Sequence, residues 1–74
     1  MRRIPVTSSN CASVGYDATT RTLEVEFKHG GVYQYFDVPA SEYAALLDAP
    51  SVGGCLDARI KKAGYRYRKL EVRW

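Results

Sequence analysis

TLEVEFKHGGVYQYFDV, residues 22–38, holds two alternating runs separated by paired glycines, and this pattern decides the fold. In Thr22–Lys28, Leu23, Val25 and Phe27 point one way while Thr22, Glu24, Glu26 and Lys28 point to water, the period-two signature of a half-buried strand. His29-Gly30-Gly31 then offers backbone that accepts the positive φ of a tight hairpin. Val32–Val38 is the partner strand, with Tyr33 and Tyr35 on one face and Val32, Gln34, Phe36 and Val38 on the other. Apolar mass on both faces marks it as central or covered twice.

Upstream, Ala12, Val14 and Tyr16 alternate with Ser13 and Gly15, and Asp17–Arg21 carries turn chemistry in which the Asp17 carboxylate bonds the backbone two residues on. Three strands joined by short loops make an antiparallel meander. Downstream, Pro39 suits the first turn of a helix whose Tyr43, Leu46 and Leu47 share a buried face and which must end by Ala49, before Pro50. Ser51 is a natural N-cap for a second helix over Val52–Ala63, ending at Gly64. Val52, Cys55, Leu56, Ile60 and Ala63 share one arc of that helix, with Asp57 and Lys61 opposite. Arg59 lies inside the apolar arc, where its stem snorkels to the rim or its head reaches a specific acid. Gly53 and Gly54 weaken the first turn, so something approaches the backbone there: a phosphate on free N–H groups, or, the favoured alternative, a closely packed neighbour. In the tail, Tyr65 and Tyr67 fall on odd positions while Leu70, Val72 and Trp74 fall on even ones, a phase change that calls for a bulge, a break near Arg68-Lys69, or a frayed end. The expected architecture is α+β: a three-stranded antiparallel meander followed by two short helices and an extended basic C-terminal segment. Residues 1–9 form a lead-in, 10–68 a single domain and 69–74 an extension.

Seventy-four residues suffice for one domain with a thin core. The N-terminus is basic but no apolar run follows it, and no stretch approaches the roughly 20 apolar residues of a membrane span, so a cytoplasmic location without membrane partners is expected. Cys11 and Cys55 lie in no CxxC spacing and read as small core residues; with His29 they make three scattered ligands, and neither metal nor other cofactor is expected. Charge is the uneven quantity. Seven of the eleven Lys and Arg residues (Arg59, Lys61, Lys62, Arg66, Arg68, Lys69 and Arg73) fall in the last seventeen positions, opposed there by Glu71 alone. Residues 1–57 carry a net acidic balance.

Several landmarks recur in a fixed order: Ser8-Ser9, Gly15-Tyr16-Asp17, Leu23-x-Val25-x-Phe27, Tyr33-x-Tyr35, Val38-Pro39, Ala49-x-Ser51-x-Gly53, Ile60-Lys61 and Tyr65-x-Tyr67. Over about residues 6–68 this order resembles the KTSC domain, a module found at the C-terminus of some lysyl-tRNA synthetases and as small free-standing bacterial proteins. The resemblance implies a small domain for which RNA binding has been suggested from that attachment. Cys55-Leu56-Asp57 departs from the bulkier aromatic residues expected after the Ser-x-Gly element. Leu70–Trp74 runs past the usual end, adding a C-terminal strand or contact of this chain's own.

Catalysis is not expected, because no nucleophile has an evident base and Glu24 and Glu26 read as the solvent side of a strand. No small-molecule substrate is evident. Basic residues interleaved with aromatics point instead to RNA, single-stranded or tRNA. Lys61, Lys62, Arg66, Arg68 and Lys69 would neutralise phosphate while Tyr65 and Tyr67 stack on bases. Tyr33 and Tyr35 are second-tier stacking candidates, since a core role also explains them. The alternative is a protein-interaction or homodimer module, in which Leu70, Val72 and Trp74 add an edge strand to a partner's sheet.

Overall fold

The computed structural model describes residues 3–8 and 10–70. It contains β1 (Arg3–Pro5), β2 (Cys11–Asp17), β3 (Thr22–Phe27), β4 (Val32–Tyr35), α1 (Ala40–Asp48), α2 (Val52–Leu56) and β5 (Tyr67–Leu70). Helix α2 runs on without interruption into a π-helical turn over Asp57–Lys61. The strands form one antiparallel sheet in the order β1-β2-β3-β4-β5. The expected three-stranded meander is therefore corrected to a five-stranded sheet carrying two helices. The hairpin read from residues 22–38 is present, with Gly30 at φ 107° in the turn, but a short strand is added on each side. The segment expected to be an extended basic end is instead β5, paired with β4 from Val32↔Leu70 to Tyr35↔Tyr67.

Register assigns each strand residue to a face. Residues directly opposite in an antiparallel pair share a face, so Leu23, Val25 and Phe27 stand with Tyr35, Tyr33 and, through β2, Tyr16, Val14 and Cys11. Both helices cover this face. Leu46 of α1 and Val52, Leu56 and Ile60 of the second helix pack with Val14, Leu23, Val25, Phe27 and Val38 in one core. An irregularity between Cys11 and Ser13 turns Cys11 inward onto Phe27 rather than leaving it in phase with Ser13. Tyr16 stacks on Tyr43 of α1 and its hydroxyl donates to the Val38 carbonyl, which fixes α1 against the sheet. Leu47, expected beside Leu46, is exposed.

The opposite sheet face departs from its expected solvent character. One row crosses all five strands as Arg3, Gly15, Glu24, Gln34 and Arg68. Gly15 has no side chain, so Arg3 reaches across it to Glu24 at 2.7 Å, while Gln34 donates to the other carboxylate oxygen at 3.0 Å. Glu24 is left only 6% exposed, and Thr22 in the next row is also buried. A carboxylate can be buried there because both its oxygens are satisfied.

The Gly53 question resolves as close packing. A Cβ at Gly53 would collide with the carboxamide of Asn10, whose position is set by Ser8 through a hydrogen bond to its carbonyl oxygen. Ser51 caps α2 as expected, accepting from the Gly54 N–H at 3.2 Å. Arg59 takes the second of its two options. It grips Glu42 of α1 through Nε at 2.7 Å and Nη2 at 3.0 Å, and the guanidinium holds that carboxyl below the usual carboxylate range.

Candidate functional site

The β3–β5 end of the helix-covered face is not filled. A cleft of about 550 Å³ lies there, lined by Phe27, His29, Tyr33, Tyr35, Lys61, Gly64, Tyr65 and Tyr67. Three structural causes bring these residues together. The pleat of β3 and β4 places Phe27, Tyr33 and Tyr35 on one face, and pairing with β5 adds Tyr67 beside Tyr35 and Lys69 beside Tyr33. The π-helical turn, closed by the Lys62 N–H on the Asp57 carbonyl at 3.1 Å, changes the angular position of every residue after Leu56. Ile60 stays fully buried, Ala63 leaves the apolar face, and Lys61 carries its Nζ to 4.8 Å from the Phe27 ring centre. Tyr65 then descends from the helix end toward β5, half-buried against the core.

Inside the cleft the rings touch in sequence. His29 lies parallel to Phe27 with centroids 5.4 Å apart, Phe27 meets Tyr33 edge-on at 5.5 Å, and Tyr67 leans on Tyr33 and Tyr35 at 6.1 and 5.7 Å. Tyr35 is nearly buried, and that burial, followed by the neighbouring phenols of Tyr33 and Tyr67, pushes its hydroxyl up to about 12. It therefore stays a neutral hydrogen-bonding group at any physiological pH. Tyr67, by contrast, is 63% exposed, a large ring held at the mouth of the cleft with much of its surface open. Lys69 Nζ lies 6.0 Å from the Tyr33 ring centre. Among the described residues, no carboxylate lines the cleft.

Of the residues singled out from sequence, Lys61, Tyr33, Tyr35, Tyr65 and Tyr67 line this cleft, and Lys69 lies beside its Tyr33 ring. Lys62, Arg66 and Arg68 lie elsewhere. Lys62 pairs with Asp57 at 3.4 Å, Arg66 pairs with Asp37 at 3.4 Å, and Arg68 stands on the opposite sheet face in register with Gln34. Sequence reasoning missed Phe27 and His29 as lining residues. The signal was available: Phe27 shares its face with Tyr33 and Tyr35, and His29 follows it two positions later. The phase change in the tail needs no bulge, since Tyr67 faces the helices while Leu70 faces away and meets Val32. Val72 and Trp74 lie outside the described residues, as does Arg73.

The model of the KTSC domain matches residues 7–67, most of the chain. This chain belongs to the KTSC domain family. A protein of Stutzerimonas stutzeri is 39% identical over 71 residues, covering 96% of this chain and all of that one. The crystal structure of a KTSC domain protein from Yersinia pestis superposes with a TM-score of 0.89 at 38% identity, covering 95% of this chain and 97% of the other. A lysine–tRNA ligase of Trichormus variabilis is 42% identical over 55 residues, which is 74% of this chain and a tenth of the ligase. The KTSC fold thus occurs both as a small protein matched end to end and as a short part of a much larger enzyme. Among the described residues of this KTSC domain, no helix is long and apolar enough to cross a membrane.

Proposed function

We propose that this small KTSC-domain protein is a non-enzymatic RNA-binding module and that the aromatic cleft is its contact site. One observation carries the proposal: Tyr33, Tyr35, Tyr65, Tyr67 and Lys61, from the hairpin, the helix end and β5, line one cleft with no carboxylate among the described residues, and Lys69 lies beside its Tyr33 ring. Rings offer stacking surfaces to any base, and ammonium groups beside them attract phosphate. The similarity to part of a lysine–tRNA ligase is consistent with a nucleic-acid setting.

The test is fluorescence anisotropy of labelled single-stranded RNA, tRNA and duplex DNA at several salt concentrations. Single-stranded RNA is expected to bind most tightly, with tRNA held through its unpaired regions. Tyr67→Ala should weaken it about tenfold, from the roughly 1–3 kcal/mol of one base–ring contact, while Tyr67→Phe should preserve it. Equal binding of all three ligands, insensitive to Tyr67, would contradict the proposal.

β5 is the last strand of the sheet, which supports a second reading as a protein-pairing edge. Arg68 and Lys69 weigh against it, because charges on an edge strand ordinarily deter pairing. Concentration-dependent sedimentation that disappears on deleting residues 70–74 would favour this alternative over RNA.

A further inference from the structure

We infer that the cleft takes a single unpaired nucleotide, its base among the tyrosines and its phosphate at Lys61 and Lys69, an inference that rests on the RNA-binding reading above. The shape and the distribution of charge both point this way. A ligand that runs along a surface needs a continuous basic track, and the described residues do not provide one: the pleat of β5 sends Arg68 and Lys69 to opposite faces, and Lys62 and Arg66 each face a carboxylate at 3.4 Å. Among the described residues, the ammonium–ring contacts, Lys61 on Phe27 and Lys69 on Tyr33, both fall on rings of the cleft. Its volume of about 550 Å³ falls in the size class of small-ligand sites, which run to roughly 300–1,000 Å³. A duplex keeps its base faces inside the stack and cannot present one to a recess of this size, whereas an unpaired nucleotide can. A second groove suits the same ligand poorly, since Asp17 and Asp37 line it beside Arg66 and would repel phosphate.

The cleft also offers partners to both halves of a nucleotide. Tyr33, Tyr35 and Tyr67 are contiguous rings on the sheet, and the exposed Tyr67 with the half-buried Tyr33 offers surface to a planar base. Lys61 and Lys69 carry Nζ to 4.8 and 6.0 Å from the centres of the Phe27 and Tyr33 rings, where each ammonium can leave its ring for a phosphate oxygen. Neither half alone fills the site, so a nucleoside or a free phosphate should bind much more weakly than the two joined.

The experiment is competition against a short labelled oligoadenylate bound to the full chain. Adenosine monophosphate is expected to displace the oligonucleotide completely, with adenosine and inorganic phosphate each needing at least about tenfold higher concentration, the loss from one missing contact class. Direct binding of the oligonucleotide should show a log–log salt slope of about −0.7, from the one phosphate held by Lys61 and Lys69, rather than about −3.5 for a track that neutralises five. Lys61→Ala and Lys69→Ala should each lower the affinity several-fold and flatten that slope. Arg66→Ala and Arg68→Ala should stay within about twofold, and since all four side chains project from the surface, the variants are expected to fold. An oligonucleotide that binds but is not displaced by adenosine monophosphate overturns the single-nucleotide inference alone. Displacement by phosphate as effective as by the nucleotide also overturns it. An oligonucleotide that does not bind at all overturns the RNA-binding reading with it.

Discussion

At Gly53 the backbone of α2 meets the side chain of Asn10, and the absence of a Cβ is what lets the start of β2 lie against the helix. Helix propensity alone favours Ala over Gly by about 1 kcal/mol, so the native glycine is explained by the contact and not by the helix. Gly53→Ala is expected to cancel or reverse that gain in the native background and to recover it beside Asn10→Ala. Urea midpoints of the two singles and the double would give a coupling of about 1 kcal/mol or more. Equal stabilisation in both backgrounds would show that Asn10 yields freely. Tyr35 supports a pH prediction. Its folded value near 12 lies above the ordinary 10, so the folded state holds the proton more tightly than the unfolded one. Stability from this group is complete below pH 10 and is lost as pH rises from 10 toward 12. Tyr35→Phe should flatten stability across that window in alkaline denaturation, and an unchanged profile would show that another group is responsible.

At the scale of elements, β2, β3, β4 and both helices were legible because each declares itself locally, by alternation, by glycine and proline placement, or by the Ser51 cap. β1 and β5 were not. Arg3-Ile-Pro5 is too short for a pattern and contains a proline that only an edge strand tolerates, and Tyr67-Arg-Lys-Leu70 is charged on both faces. What makes them strands is long-range pairing, together with the Arg3–Glu24–Gln34 link that runs across Gly15. Glu24 looked like a solvent residue because alternation reports faces and not what covers them. Glu24→Ala should therefore cost about 2 kcal/mol in urea denaturation, the order expected for hydrogen bonds to a charged group, and should speed amide exchange in β1. Arg3→Ala should cost less, since Arg3 is partly exposed. If Glu24→Ala left β1 exchange unchanged, the link would not be what holds that strand. The π-helical turn was also hidden, since Leu56 and Ile60 keep a spacing that an ordinary α-helix satisfies equally well.

For the whole molecule, charge polarity along the sequence is dispersed over both faces in space. The basic C-terminal run is spread over the helix end and both sides of β5, so its strength as a continuous track is lost while a smaller, aromatic and basic recess is gained. Residue types at the site were legible from sequence; their convergence was not, because it depends on β4–β5 register and on the wider helical turn. The most direct test of the cleft as an RNA contact is amide chemical-shift mapping of the labelled full chain titrated with single-stranded RNA. The shifts are expected to concentrate at Phe27, His29, Tyr33, Lys61, Gly64, Tyr65 and Tyr67, saturating together. Shifts centred instead on Arg3, Gln34, Arg66 and Arg68, or an unchanged spectrum, would contradict it.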